Sequence, residues 1–231
     1  MMEVEIFLGV FVNEKTFNPY SHAGGGSVMP IHQLFPEPIY FSQLNRKLTK
    51  EELNTIKKYK KKTHKNIGNV TSFDTYVLEN KKLKNLKKDL ATMVLDYFNK
   101  VICTDDSIVP YITQSWINYT ETDQFHHRHS HSNSYISGVF YIDADKQVDS
   151  IKFYKPGSDE RAIKPTVDKY NIFNSSNWQF PVQTGDIILF PSTLRHGVER
   201  KKGTNTRISL SFNAFFKGTI GKKRELTELI L

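Results

Sequence analysis

Four of the eight histidines in this chain fall within six residues, His126-His127-Arg128-His129-Ser130-His131. The segment that follows, Ser134-Tyr135-Ile136-Ser137-Gly138-Val139-Phe140-Tyr141-Ile142, is rich in β-branched and aromatic residues and reads as a strand. In extended backbone, side chains two residues apart share a face, so a His-x-His beside a strand offers two imidazoles to one point. A third donor must come from elsewhere, and His196 is the best placed. It ends Gly185-Asp186-Ile187-Ile188-Leu189-Phe190-Pro191-Ser192-Thr193-Leu194-Arg195-His196, a second strand-like run. Three imidazoles on one side of a divalent metal leave the other side open to ligands, which is the arrangement of a catalytic rather than a closed structural site.

The next strand-like run, Thr206-Arg207-Ile208-Ser209-Leu210-Ser211-Phe212-Asn213, carries an arginine that alternates with apolar residues. A guanidinium is costly to bury unless it meets an anion, and a dicarboxylate would supply one through a bidentate fork.

The elements that must position these groups fall into two blocks. Leu34-Phe35-Pro36-Glu37-Pro38-Ile39-Tyr40-Phe41 reads as an edge strand because of its two prolines. Thr49-Lys50-Glu51-Glu52 is a capping box that opens a helix to about residue 63, with Leu53, Ile56 and Tyr59 inward. A second helix over about 80–102 carries Leu83, Leu86, Leu90, Met93, Val94, Tyr97, Phe98 and Val101 at three- and four-residue spacing. Short strands follow at 111–119, 134–142, 150–155, 187–191 and 206–216. Helices followed by a block of antiparallel strands predict an α+β fold, a double-sheet jelly roll with the helices packed outside one sheet. Residues 3–12 read as an opening strand, Gly24-Gly25-Gly26 as a connector, 156–183 as a long substrate-binding loop or lid, and the apolar end of 218–231 as a short docking helix.

A length of 231 residues suits one domain: 34–220, preceded by the strand and connector at 1–33 and followed by a tail at 221–231. The lone Cys103 excludes an internal disulfide, and its neighbours Val101 and Ile102 predict a buried, inert thiol. No run of membrane-spanning length and no signal peptide is read, so the expected location is the cytoplasm. The net charge of +8 is compatible with a nucleic acid, a ribonucleoprotein or an acidic peptide. The lysines are spread over several segments, so a nucleic-acid partner is not favoured.

In this order and spacing the segments around Trp116-Ile117-Asn118-Tyr119, His129-x-His131, Ser137 to Tyr141, Gly185 to His196 and Arg207 to Asn213 carry a resemblance. Over roughly residues 34–220 the chain resembles the 2-oxoglutarate/Fe(II)-dependent oxygenases of marine bacteria and their tailed phages. More distantly, it is similar to the prolyl 4-hydroxylase-like branch. The resemblance implies an Fe(II)- and 2-oxoglutarate-dependent dioxygenase that consumes dioxygen and hydroxylates a C–H bond of a protein or other macromolecule, releasing succinate and CO2. If phage-encoded, it would work in the host cytoplasm. The resemblance makes His129 and His196 metal ligands and Arg207 the partner of the far carboxylate. Tyr141, Tyr119, Ser209 and Asn118 become cosubstrate-binding positions, and Trp116 matches without a defined role.

One departure stands out: His131 occupies the position where the wider superfamily has Asp or Glu. The resemblance then implies that His131 replaces the carboxylate as third ligand. His127 paired with His129, or an oxygen from Asp143 or Asp145, remain alternatives, with His126 and His127 otherwise placed behind the ligands or facing substrate. A cupin-like metal-binding protein without oxygenase activity is the rival from a different class, and a basic nucleic-acid-binding module with a degenerate metal site is a third.

Overall fold

The structure is a computed structural model that describes residues 34–157, 163 and 165–231. The expected opening strand and glycine connector, and the loop residues 158–162 and 164, lie outside the described residues. Residues Glu37–Leu231 form one unit. Its elements, in chain order, are β1 (Tyr40–Gln43), α1 (Lys50–Tyr59), β2 (Thr63–Lys65), β3 (Val70–Ser72), α2 (Lys84–Tyr97), β4 (Val109–Thr120), β5 (His126–His129), β6 (Ile136–Asp143), β7 (Ser150–Tyr154), β8 (Asn177–Pro181), β9 (Asp186–Pro191), β10 (His196–Val198), β11 (Arg207–Lys217), β12 (Thr219–Ile220) and β13 (Leu229–Ile230). A seven-stranded sheet has the order β1-β9-β6-β11-β4-β3-β2 and a four-stranded sheet the order β5-β10-β7-β8. All the strand pairs within these two sheets are antiparallel.

Strand alternation divides the large sheet into two cores. Phe140 and Ile142 of β6, Ile187 and Leu189 of β9, and Leu210 and Phe212 of β11 pack with Leu86, Leu90, Val94 and Tyr97 of α2. The residues between them, Val139 and Tyr141 of β6 and Ile188 and Phe190 of β9, pack with Ile151 and Phe153 of β7 in the second sheet. One face of the large sheet therefore carries the helices and the other closes the jelly roll, as the double-sheet expectation required. The helices obey their local signals. Thr49 caps α1 in a complete capping box, and the buried Glu52 that completes it also takes a two-pronged hydrogen bond from Arg46.

Several expectations are corrected. Strand pairing starts at Tyr40, after Pro36 and Pro38, whose missing N–H groups keep them out of the ladder, although β1 does lie at the sheet edge. Leu53 is exposed; the inward positions of α1 are Glu52, Thr55 and Ile56. The second helix is a regular α-helix only over Lys84–Tyr97, flanked by a 3-10 turn at Lys81–Leu83 and a π turn at Phe98–Ile102. Cys103 follows that turn in a left-handed conformation, φ 55°, and its thiol is exposed, because the chain reverses where the buried stripe ends. The stretch 156–183 is not all loop, since β8 pairs with β7 inside it. The C-terminal residues form no docking helix: β13 returns to pair with β12 across a 3-10 turn at Lys223–Glu225.

Candidate active site

His129 and His196 are direct cross-strand partners on β5 and β10, which sets their rings 4.3 Å apart. His131 lies two residues past the end of β5, where its backbone N–H donates to the Ser192 carbonyl at 2.9 Å. The Pro191-Ser192 end of β9 thus holds one histidine while Leu194 holds another, since its carbonyl meets Nδ1 of His196 at 3.0 Å. Nδ1 of His129 likewise sits 2.8 Å from the His127 carbonyl. A carbonyl can only accept, so in both rings Nδ1 carries the proton and Nε2 keeps its lone pair. Nε2 of His131 is 3.3 Å from Nε2 of His196. One donor nitrogen from each of His129, His131 and His196 lies within 4.8 Å of the others. Burial pushes His196 down to about 3 and His131 down to about 4, and it lowers His129 as well, so all three stay neutral near pH 7.

Between His196 and Val198 the register with His129 and His126 slips by one residue, a β-bulge in β5. The bulge leaves Gly197 against the carbonyls of His126 and His127, where a Cβ would come within 2.9 and 3.1 Å. It also turns His126 toward the same side as His129, and the two rings stack at 4.5 Å. A second three-histidine grouping, His126, His127 and His129, results.

His126, His129, His131 and His196 line a narrow pocket of about 30 Å³ whose other wall includes Arg207, Ser209, Ser211, Asn118, Tyr141 and Trp116. Arg207 is 2% exposed; its guanidinium donates to the Ser150 carbonyl at 3.3 Å and Thr120 Oγ1 at 3.1 Å, and its Nε has no hydrogen-bond partner among the described residues. Asp149, whose charge acts on Arg207, is held by the buried Lys201 at 2.7 Å and by Asn205. Among the described residues, no acidic side chain lines the pocket. Burial lowers the Arg207 guanidinium from its ordinary value and raises the Tyr141 phenol. Beyond Arg207 lies an outer cavity of about 500 Å³, whose basic lining includes Lys146, Arg200, Lys201 and Lys202.

Of the residues singled out from the sequence, His129, His131, His196, Arg207, Tyr141, Ser209, Asn118 and Trp116 meet at this pocket. Tyr119 does not. It belongs to the core on the helix side, where its hydroxyl faces the Ile56 carbonyl at 3.5 Å and burial raises it to about 12. Neighbouring residues of a strand face opposite ways, so Asn118 and Tyr119 cannot both face the metal. Asp143 and Asp145 are exposed at the far end of β6 and do not line the pocket, which removes them as ligands. Sequence reasoning missed Thr120, which holds Arg207, Ser211, which binds the Asn118 amide at 2.9 Å, and Asn66, which meets His126.

The donor set fits a divalent metal. Two nitrogens each about 2.1 Å from one ion stand at most about 4.2 Å apart, and the 3.3 Å between His131 and His196 falls inside that limit. Three neutral ligands leave the charge of the ion uncompensated, and Arg207 places a further cation in the same pocket. An anion between them would meet positive charge at both ends.

Residues 114–213 match the family model described as "Putative 2OG-Fe(II) oxygenase". That range contains every candidate ligand and Arg207. A search of curated proteins finds no match. Among solved structures, a 2OG-Fe(II) oxygenase family oxidoreductase from Burkholderia pseudomallei is similar, with a TM-score of 0.52 and 14% identity over 75% of this chain and 84% of that one. The α-ketoglutarate-dependent epimerase SnoN of nogalamycin biosynthesis has a TM-score of 0.53 and 11% identity over 78% of each chain. At these identities the two structures establish the shared fold. The similarity to the 2OG-Fe(II) oxygenase family thus lies in residues 114–213, the segment that carries the histidines and Arg207, and it supports an oxidoreductase that uses iron and 2-oxoglutarate.

Proposed function

We propose that the protein is a hydroxylase in which His129, His131 and His196 hold Fe(II) and Arg207 receives the far carboxylate of 2-oxoglutarate. The observation that carries this reading is one pocket with neutral nitrogen donors at one end and a buried guanidinium at the other, with no acidic side chain lining it among the described residues. When bound, iron and 2-oxoglutarate would activate dioxygen, the oxidant, with one oxygen atom going to the substrate C–H bond and the other to succinate as CO2 is released. The protein's own residues do the positioning. The carbonyls of His127 and Leu194 fix the tautomers of two ligands, so that Nε2 stays available. Arg207, buffered from Asp149 by Lys201, keeps its charge for an incoming anion. Asn118, Tyr141 and Ser209 add polar groups along the wall, and Phe190, packed on His196 at 4.5 Å, keeps water from that ligand.

The finer reading is hydroxylation of a protein or other macromolecule in the cytoplasm. The prolyl-hydroxylase-like order of motifs and a net charge of +8, which suits an acidic partner, support it. A reducing compartment suits both ferrous iron and a single exposed cysteine.

The test is an anaerobic titration of metal-free protein with Fe(II) and then 2-oxoglutarate, followed by the visible charge-transfer band and by succinate release once air is admitted. The band is expected in the wild type, absent in His196→Ala, and to require at least tenfold more 2-oxoglutarate in Arg207→Ala. Metal binding without a band or succinate would overturn the reading in favour of a metal-binding protein of another kind.

A further inference from the structure

The bulge in β5 turns a further side chain, His126, into the pocket, and neither the three-histidine cluster nor Arg207 has a use for it. Its ring lies flat against His129, 4.5 Å away at 22°, and shares the pocket wall with Val198 and Arg207. Its Nε2 is 3.2 Å from Nδ2 of Asn66, and the same Nδ2 is 3.1 Å from Oδ1 of Asn69. An amide nitrogen donates and does not accept. Asn66 is therefore the donor to His126, Nε2 is the acceptor, and the neutral ring carries its proton on Nδ1. Among the described residues no hydrogen-bond acceptor meets that Nδ1.

The turn that delivers Asn66 is built for the contact. It joins β2 to β3, is closed by the Asn66 N–H to the Asn69 carbonyl at 2.9 Å, and is fastened to the residue before His126 by the Phe125 N–H to the Gly68 carbonyl at 3.0 Å. Gly68 adopts φ +90°, and a Cβ on it would come within 2.5 Å of the Phe125 carbonyl oxygen. Only glycine allows this turn to lie so close to β5. The same geometry argues against a second metal in the His126, His127 and His129 grouping, because Nε2 of His126 is already engaged and Nδ1 bears the proton.

We propose that Asn66 fixes His126 in the Nδ1–H tautomer, and that this N–H donates to a carboxylate oxygen of 2-oxoglutarate lying between the histidine cluster and Arg207. The inference rests on the proposed reading of that pocket. His126 is a cosubstrate-binding residue, and Asn66 is a positioning residue acting through it.

Two measurements test it. Long-range proton–nitrogen spectra of the metal-free protein, with His126 assigned by its loss in His126→Asn, are expected to show Nδ1 protonated and Nε2 bare. In Asn66→Asp, whose carboxylate can only accept, the proton should move to Nε2. Calorimetric titration of the Fe(II)-loaded protein with 2-oxoglutarate under anaerobic conditions supplies the second readout. His126→Asn, whose amide N–H replaces the ring donor, is expected to stay within about threefold of wild-type affinity. His126→Leu and Asn66→Asp should weaken it by about tenfold or more, the worth of a hydrogen bond to a charged group, with Fe(II) affinity unchanged. An Nε2-protonated His126 in the wild type, or equal 2-oxoglutarate affinity in all variants, would sink the proposal. A wild type that binds Fe(II) but not 2-oxoglutarate overturns the underlying reading instead. Should His126→Leu not fold, the wild-type tautomer and Asn66→Asp still decide.

Discussion

Asn118 and Tyr119 are one step apart on β4, yet the first holds an amide against Ser211 in the pocket and the second a phenol against α1. A family resemblance alone puts both in the site; the pleat of the strand allows only one. The consequence is a contrast in kinetics. Asn118→Ala is expected to raise the KM for 2-oxoglutarate several-fold, whereas Tyr119→Phe should leave it within twofold and cost no more than about 1 kcal/mol of stability, a single long hydrogen bond. Initial-rate succinate assays and urea unfolding of both variants check this. Legibility at this scale followed the same divide. The histidines and Arg207 were readable because few residue types bind metals or dicarboxylates, while Asn66 and Thr120 were not, because amides and hydroxyls occur at every turn and strand end. Their roles come from contacts between segments 60 and 87 residues apart.

At the scale of elements, the long strands and both helices were readable from periodicity and the capping box. Strands β5 and β10, only four and three residues long, were not. Their pairing comes from each other and from β7 rather than from any pattern of their own. The same crowding that shapes them governs β6. Gly138 faces Phe212 across the ladder, and a Cβ there would come within 2.2 Å of the Phe212 ring and 2.8 Å of Leu189. Gly138→Ala is therefore expected to destabilise the protein by about 1–3 kcal/mol through overpacking. A lowered urea midpoint with an unchanged slope would show it, and a neutral result would mean that the helix side of the large sheet yields more readily than its buried aromatics suggest.

For the whole molecule, the histidine cluster sets how the fold responds to acid. Burial holds His126 at about 2, His196 at about 3 and His131 at about 4, all below the ordinary value near 6.5. The unfolded chain thus takes up protons below about pH 6.5 that the folded chain refuses. Stability should be level above pH 7, begin to fall as the pH drops through about 6.5, and keep falling down to about pH 2. Urea midpoints of the metal-free protein measured across that range check the sign, and a midpoint that rises on acidification would contradict it.

Arg207 also has a mechanical part in the molecule. It lines both the pocket of about 30 Å³ and the outer cavity of about 500 Å³, and its guanidinium is pinned at Thr120 and Ser150. The side chain proposed to receive an anion thus also stands between two cavities, and whatever trims it removes a charge and opens a wall at once. A lysine would restore the charge but not the wall, because a slender ammonium fills less of the opening than a flat, three-nitrogen plate.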